Sequence, residues 1–384
     1  MSIAGYLHQL PTKWWAWSIS LSVALLAHSG VQARDTEALA EQARPVIERL
    51  GLRESRQPVR EIAGWRRPSR IVVRSDADRV QWLQPAAPGV ELVPASSAEE
   101  AVAAAAGSDG VIGFCAPELL TAGTGIRWLQ LPYAGAENCL AIPAIRERDI
   151  LVTNAQRIYG PEIAEHVMAM ILSFTRGLHK YIPQQAQGNW DRGLVAEENL
   201  WELEGKTLLV VGLGGIGTEV ARLGHGMGMR VIATRNSSRH GPEFVSHVGL
   251  ADELPQLVPD ADVVVNAAPL TPSTDDLFDA DFFAAMKTTA YFINVGRGGS
   301  VVTDDLVSAL RSGELAGAGL DVTDPEPLPH GHPLWKLPNV IITPHVAAGS
   351  DLRSERLWIV MRENLRRYAA GEPMLSVVDT LKGY

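Results

Sequence analysis

The chain has 384 residues, of which 46% are hydrophobic and 20% charged, a composition that supports a large core and excludes wholesale disorder. The formal charge is −10 and no basic run is present, which argues against nucleic-acid binding. The length exceeds that of most single domains, so two domains are expected.

The N-terminus differs in composition from the rest. Lys13 is followed by an uncharged stretch, Trp14 to Ala27, and then by Val31-Gln32-Ala33. This pattern is typical of a secretory signal peptide over residues 1–33, and the apolar run is short for a membrane span. It favours a periplasmic or exported protein, with a mature chain that begins near Arg34. A cytoplasmic protein with an extension, or a start codon assigned too early, is the alternative.

Two cysteines, Cys115 and Cys139, have no metal-ligand spacing, and they permit a disulfide without implying one. No histidine or carboxylate cluster indicates a metal. Residues 35–69 are polar and helical in places, and their pattern gives them no position in the fold.

From Arg70 short apolar strands alternate with helical stretches. The strands are predicted at 71–73, 90–93, 110–114, 128–131 and 150–153, and helices at 98–106 and 143–148. Such alternation predicts a parallel sheet with helices on both faces.

A long amphipathic helix is predicted over 161–178, and a second α/β unit begins near Lys206. Its strands are predicted at 207–211, 230–234, 262–266, 290–294, 316–320 and 339–342, followed by a helix over 353–370. The fold class is therefore α/β, with two parallel-sheet domains. Residues 34–157 and 347–384 form the substrate domain and 158–346 the nucleotide domain, with the substrate in the cleft between them.

A glycine-rich loop follows the first strand of the second unit. It reads Gly212-Leu213-Gly214-Gly215-Ile216-Gly217 and leads into a segment of helical period. In this context the glycines permit a tight turn, close approach to a pyrophosphate and close helix packing. Backbone N–H groups at the helix start would face the phosphates.

Three charged residues, Arg297, Glu326 and His345, come later, each in a loop after a predicted strand. Singly, each has a simpler interpretation: Arg297 as a surface ion-pair partner, Glu326 as a solvated loop carboxylate, and His345 as a cap of the last helix. An open parallel sheet places its ligands at the carboxyl ends of its strands, so three convergent residues favour a catalytic site.

At this point the chain resembles the D-isomer-specific 2-hydroxyacid dehydrogenase family over residues 128–383. Besides the glycine loop, the matching stretches are 134–137, 152–154, 164–166, 269–271, 294–298, 320–322, 326–329 and 343–345. The resemblance implies a flavodoxin-like substrate domain interrupted by a Rossmann domain, and a homodimer.

The resemblance also assigns catalytic roles that suit the chemistry of keto-acid reduction. The planar fork of Arg297 can hold a carboxylate and polarise the neighbouring carbonyl. His345 would donate the proton, since imidazole titrates near working pH. Glu326 would orient that imidazole and favour its charged form. His166 matches a family histidine and is interpreted as structural or interface-forming.

The family holds the substrate carboxylate with backbone N–H groups, which by match are those of Ala134 and Gly135. Tyr133 precedes them and is a candidate for shaping the pocket, although packing is an equal alternative. The cofactor side of the site would include Ala268, Pro269, Val295 and Asp321, with Asp321 matching the residue that bonds the nicotinamide carboxamide.

NAD-specific members carry an acidic residue at the end of the second nucleotide-domain strand, but this chain has Arg235, followed by Ser237, Ser238 and Arg239. Cations there suit a ribose 2′-phosphate. NADP is therefore the favoured cofactor, with NAD as the alternative if Arg235 only stacks on adenine.

The sequence thus predicts a reductase of a small 2-keto acid, of the glyoxylate or hydroxypyruvate type, that forms the D-2-hydroxy acid. A formate- or phosphite-type dehydrogenase is a second possibility. Glu326 argues against the formate branch, where a glutamine partners the histidine. A nucleotide-sensing corepressor-like protein is a third, since such relatives keep the triad.

Overall fold

A computed structural model describes residues 36–383 and contains two parallel sheets. The first sheet has the order β2-β1-β3-β4-β5, which is the flavodoxin-like 2-1-3-4-5 arrangement. Its strands are β1 Arg70–Arg74, β2 Glu91–Ala95, β3 Gly110–Ile112, β4 Trp128–Gln130 and β5 Leu151–Thr153.

The helices of this first domain begin with α1 at residues 36–50. They continue with α2 Ala77–Leu83, α3 Ala98–Ala104, α4 Pro117–Ala122, α5 Glu137–Leu140 and α6 Pro143–Glu147. Two of them begin at side-chain caps, because Asp76 accepts from the amide of Arg79 at 2.8 Å and Ser97 from that of Glu100 at 3.2 Å.

The second sheet has seven parallel strands in the order β12-β11-β10-β9-β6-β7-β8. Counted from β6, this is the Rossmann order 3-2-1-4-5-6 with one further strand. The strands are β6 Thr207–Val211, β7 Arg230–Thr234, β8 His247–Gly249, β9 Val263–Asn266, β10 Tyr291–Asn294, β11 Gly317–Leu320 and β12 Val340–Ile342. The central strands are buried along their whole length, as helices on both faces require.

Two long helices lie where the chain passes between the domains, α7 Gly160–Thr175 and α13 Arg353–Ala370. The inner face of α7 carries Ile163, Val167 and Phe174 into the nucleotide-domain core. The end of α13 packs on the first sheet instead, where Tyr368 stacks on Trp128 with ring centroids 4.6 Å apart. The helices between α7 and α13 are α8 Leu178–Ala186, α9 Gly215–Gly226, α10 Leu254–Leu257, α11 Ala280–Ala285 and α12 Thr303–Ser312.

The predicted fold class is confirmed. Three details differ from the sequence prediction. The helix predicted to reach residue 178 ends at Thr175, because Gly177 adopts a left-handed conformation with φ 68° before α8 begins. Strand β8 was not predicted, since it has only three residues at the sheet edge. The unplaced segment 35–69 contains α1 and a short 3₁₀ turn at Val59–Glu61.

The predicted signal segment, residues 1–33, lies outside the described residues. Among residues 36–383, none of the helices combines the length and apolar character needed to cross a membrane.

Candidate active site

Tight packing around the glycine-rich loop explains two of its glycines. Gly212 has a φ of 97°, and a Cβ there would lie 2.8 Å from the Cα of Ala268. A Cβ on Gly217 would collide with the carbonyl oxygen of Gly212. The loop is therefore pressed against the end of β9, and α9 packs close to β6 as the glycine pattern predicts.

Gly214 differs from its neighbours, since a Cβ there would meet nothing within 4 Å. The backbone at this position borders open space at the start of α9, where N–H groups point outward. The loop thus offers the cradle that a dinucleotide pyrophosphate requires, and the residues present fit such a cofactor.

Two buried asparagines, which the sequence reading overlooked, shape the loops after β9 and β10. The side chain of Asn266 donates to that of Asn294 at 3.0 Å and accepts from the amide of Ala268 at 3.0 Å. Asn294 in turn donates to the carbonyl of Arg297 at 3.0 Å. An asparagine at each strand end was the available sequence signal. This network fixes the backbone from which Arg297 projects.

Arg297 reaches across to the substrate domain. Its Nε donates to Oε1 of Glu137 at 2.7 Å, and Nη1 donates to the carbonyl of Gly296 at 2.8 Å. Nη2 lies against Gly135 so closely that a Cβ at Gly135 would collide with it. The guanidinium and the predicted carboxylate-binding loop therefore meet at one place.

The loop itself is held by β5 and the residues after it. The Asn154 amide donates to the carbonyl of Ala134 at 2.5 Å, and the Ala155 N–H donates to that of Tyr133 at 3.0 Å. Within residues 36–383, the N–H groups of Ala134 and Gly135 have no hydrogen-bond acceptor, so they remain for a ligand. Tyr133 is 42% exposed beside them.

Glu137 was not singled out from the sequence as a site residue. Burial raises the pKa of its carboxyl, but the hydrogen bond and charge of Arg297 outweigh this and lower the pKa overall. Glu137 also lines an open cleft of about 600 Å³ between the domains, opposite Leu270 and Thr271. The cleft adjoins the place where Arg297 meets the loop of Ala134 and Gly135, as expected for a site between domains.

His345 and Glu326 form a direct pair. Nδ1 of His345 lies 2.7 Å from Oε1 of Glu326, and the two side chains are 48% and 43% exposed. This contact occupies one ring nitrogen and leaves Nε2 as the atom available to a substrate. Glu326 can therefore fix both the ring orientation and the tautomer, as predicted for a histidine acid with a carboxylate partner.

Asp321 holds the loop that carries His345. The carboxylate is only 3% exposed, and it accepts from the hydroxyl of Thr343 at 2.6 Å and from the amides of Val346 and Ala347 at 2.9 and 3.1 Å. The carbonyl of Asp321 also accepts from the N–H of His345 at 2.8 Å. These bonds stabilise the left-handed backbone of His345, whose φ is 54°.

The position of Asp321 adds a supporting role to the predicted one. Its carboxylate oxygens have internal donors, and an interaction with the nicotinamide carboxamide remains a prediction. His166 lies behind the same loop, with Nε2 3.0 Å from the Thr343 hydroxyl, a contact in keeping with a structural role.

The two predicted phosphate-binding arginines follow β7, at the same edge of the sheet, and they have different surroundings. Arg235 is half-buried at the end of β7 and donates to the carbonyl of His240 at 2.8 Å. Arg239 is exposed and forms an ion pair with Glu253. Arg235 is therefore the less neutralised of the two.

Cys115 and Cys139, left open by the sequence, are joined by a disulfide with a Cα–Cα separation of 5.8 Å. It ties the loop after β3 to α5, the helix that begins at Glu137. The disulfide therefore stabilises α5, the helix that follows the loop of Ala134 and Gly135.

Arg297, Asp321 and His345 follow β10, β11 and β12, which are neighbours in the sheet. Their shared edge is where an open α/β sheet binds its ligands.

The profile of the D-isomer specific 2-hydroxyacid dehydrogenase NAD-binding domain matches residues 168–347. The glyoxylate reductase/hydroxypyruvate reductase of Homo sapiens is 32% identical over 295 residues, covering 74% of this chain and 88% of the human protein. The chain belongs to the D-isomer specific 2-hydroxyacid dehydrogenase family.

Other relatives agree. Glyoxylate/hydroxypyruvate reductase B of Citrobacter koseri is 36% identical over 210 residues, 54% of this chain and 64% of that protein. The crystal structure of an NADPH-dependent glyoxylate/hydroxypyruvate reductase from Sinorhizobium meliloti, in complex with NADP and sulfate, superposes with a TM-score of 0.70 at 29% identity. The match covers 82% of this chain and 100% of the other. The dehydrogenase is thus an NAD(P)-dependent enzyme that acts on CH–OH groups.

Proposed function

We propose that this dehydrogenase reduces a small 2-keto acid, of the glyoxylate or hydroxypyruvate type, to the D-2-hydroxy acid, with NADPH as its preferred reductant. The observation that carries the proposal is the contact of Arg297 with Gly135, together with the His345–Glu326 pair at the same edge of the sheet, where His345 follows β12, two strands from β10. Relatives named as glyoxylate and hydroxypyruvate reductases support the substrate class.

Binding of the substrate carboxylate falls to Arg297 and the loop of Ala134 and Gly135. Because Glu137 holds Nε and Gly296 holds Nη1, the guanidinium has a fixed plane before substrate arrives. Nη2 remains beside the loop. A cation held in place in this way also stabilises the negative charge that develops on the carbonyl oxygen.

The nicotinamide, when bound, supplies the hydride. His345 then donates a proton from Nε2 to the forming alkoxide, while Glu326 bonds Nδ1 and stabilises the imidazolium before transfer. Asp321 keeps the His345 backbone in place and takes no direct part in proton transfer.

A panel of 2-keto acids measured with NADPH and with NADH tests the proposed function. Glyoxylate and hydroxypyruvate should be reduced, with higher kcat/KM for NADPH. Nucleotide binding without turnover of any 2-keto acid would instead support a nucleotide-sensing protein. Oxidation of formate or phosphite would support a formate- or phosphite-type dehydrogenase, and the Glu326 carboxylate argues against the formate branch.

Cofactor preference should reverse in the variant Arg235→Asp. The carboxylate would repel a 2′-phosphate and accept from the ribose hydroxyls of NADH. Loss of one charge-assisted bond, roughly 1.5–3 kcal/mol, corresponds to a loss of about 10–150-fold for NADPH. The ratio of kcat/KM for the two cofactors measures the effect, with Arg235→Ala expected to weaken NADPH alone.

The matched control is Arg239→Ala, because Arg239 already pairs with Glu253. Its effect on NADPH should be smaller than that of Arg235→Ala. A wild-type preference for NADH, or an unchanged ratio in Arg235→Asp, would contradict the NADPH assignment while leaving the catalytic residues untouched.

We also propose that the protein is exported and processed near Arg34. The sequence of residues 1–33 supports this, and so does the Cys115–Cys139 disulfide, since disulfides persist mainly in oxidising compartments. Intact mass of protein purified from its native host should correspond to a chain without residues 1–33. An unprocessed Met1 terminus in a cytosolic fraction would contradict export.

The assembly we propose is a homodimer. Large apolar side chains lie exposed on α8 and the loop after it, with Trp190 89% and Ile182 58% accessible. A patch of this kind on a folded domain suits a second copy of the chain. Sedimentation of the purified enzyme measures the assembled mass.

A further inference from the structure

The last turn of α1 and the segment just after it lie against the helix that follows the glycine-rich loop. Arg49 forms two hydrogen bonds with Glu219 of α9, at 2.9 and 3.2 Å. Leu50 and Leu52 are buried in the same core cluster as Val220. The carbonyl of Arg53 accepts from the N–H of Ser376 at 3.0 Å. Residues 49–53 are therefore fixed at the nucleotide-binding end of the molecule.

Arg157, just before α7, joins this segment to the glycine loop. Its Nη1 donates to the carbonyl of Leu50 at 3.5 Å. Its stem packs on Gly215, where a Cβ would lie 2.6 Å from Cγ of Arg157. The backbone of Arg157 has a φ of 70°, which is rare for a residue with a side chain. The surroundings thus hold this guanidinium beside the loop despite a backbone cost.

Arg235, at the end of β7, completes a group of three arginines. Burial lowers the pKa of Arg157, and the charges of Arg53 and Arg235 lower it further. Burial and the charge of Arg53 lower the pKa of Arg235 in the same way. Three cations from three separate segments therefore repel one another.

Carboxylates neutralise little of the positive charge of these three arginines. Glu219 acts on Arg157 only through its charge, and it is already bonded to Arg49 and Arg222. Within residues 36–383, none of the three arginines forms an ion pair with a carboxylate. Like charges gathered without counter-charges are unfavourable unless an anion occupies the site.

We propose that Arg53, Arg157 and Arg235 form one site for the ribose 2′-phosphate of NADPH, and that the segment after α1 supplies its outer wall. Arg235 marks the strand end where the ribose 2′-position is read. Guanidinium forks bind phosphate through paired, charge-assisted bonds. The inference rests on the proposed NADPH preference and adds two residues that precede the nucleotide domain in sequence.

Arg53→Ala is the sharpest test, because its side chain is exposed and its backbone bond to Ser376 does not depend on the side chain. Titration of the purified enzyme with NADPH and with NADH, followed by nicotinamide fluorescence, measures affinity without catalysis. NADPH binding should weaken by about tenfold, and NADH binding should stay unchanged. Arg56→Ala, three residues along the same exposed segment, is the matched control and should bind both cofactors as wild type does.

Thermal unfolding provides a second test, which compares the Tm of the free enzyme with that of the NADPH-bound enzyme. Loss of Arg53 relieves repulsion in the free enzyme, so its Tm should stay the same or rise, while the rise in Tm caused by saturating NADPH should shrink. A residue with only a structural role would lower the Tm of the free enzyme instead.

Three outcomes would overturn the inference in distinguishable ways. Tighter wild-type binding of NADH than of NADPH removes the proposed cofactor preference itself. A wild-type preference for NADPH that Arg53→Ala leaves unchanged removes Arg53 from the site while the preference stands. Equal losses for both cofactors in Arg53→Ala assign the cluster to the pyrophosphate, which both cofactors share.

Discussion

His345→Ala should lower turnover by roughly 10²–10⁴-fold, the usual range for loss of a general acid, while NADPH binding stays close to wild type. Within residues 36–383, Glu326 is the only hydrogen-bond partner of the His345 side chain. The structure of its loop depends on backbone atoms and Asp321, so the fold should survive the substitution. Steady-state kinetics with a saturating keto acid and a direct NADPH titration measure the two quantities separately.

The matched control is His330→Ala, a change to an exposed histidine in the same loop as Glu326. It should leave kcat unaltered. Glu326→Gln keeps a hydrogen-bond acceptor but loses the charge, so its effect should be smaller than that of His345→Ala. In the double variant the losses should not add, because both residues serve one proton transfer. Turnover near the wild-type level in His345→Ala would remove this histidine from the mechanism.

Local sequence patterns were enough to predict both sheets apart from β8, and the sheet edge that carries the candidate site. Strand β9 shows why, since Val263, Val264 and Val265 are followed at once by the polar Asn266. A short β-branched run that ends in a polar residue indicates both a buried strand and the start of a functional loop. The same reasoning located Arg297 and His345, which follow such strands.

Contacts between distant parts of the chain could not be predicted from local sequence patterns. Glu137 and Arg297 are 160 residues apart, and Arg49 and Glu219 are 170 apart. Each residue alone looks like a solvated charge, and its partner is set by how the two domains meet. The position of α1 was missed for this reason, because its amphipathic pattern does not indicate which core it joins.

Asp321 illustrates a different limit. Its match to the family residue that bonds the nicotinamide carboxamide marked it as functional, but no sequence pattern indicated that it also supports a loop. The evidence for its supporting role is geometric, since donors from residues 343, 346 and 347 converge on one buried carboxylate. Periodicity contains no information about such convergence.

Arg297→Lys should lower kcat/KM by roughly 10²-fold or more, near the effect of removing one positioned donor from a developing oxyanion. Lysine keeps the charge but cannot bond Glu137, Gly296 and a substrate carboxylate from one rigid plane. Both effects should be visible in steady-state kinetics, as a higher KM for the keto acid and a lower kcat. Binding of NADPH should change little, because the contacts of Arg297 lie on the substrate side of the site.

One alternative explanation of such a loss is that Arg297→Lys merely leaves Glu137 without its partner, since a half-buried carboxylate without its partner disturbs the loop around it. The double variant Arg297→Lys with Glu137→Gln separates the two, because a neutral amide is less costly than a carboxylate to leave without the Arg297 hydrogen bond. If activity returns to the wild-type level in the double variant, Arg297 acts only through its hydrogen bond to Glu137. If the loss persists, the guanidinium itself holds the substrate. Arg311→Lys, on the exposed surface of α12, controls for a general effect of the exchange and should behave as wild type. Unchanged kinetics in Arg297→Lys alone would mean that charge without the fork is sufficient at this position.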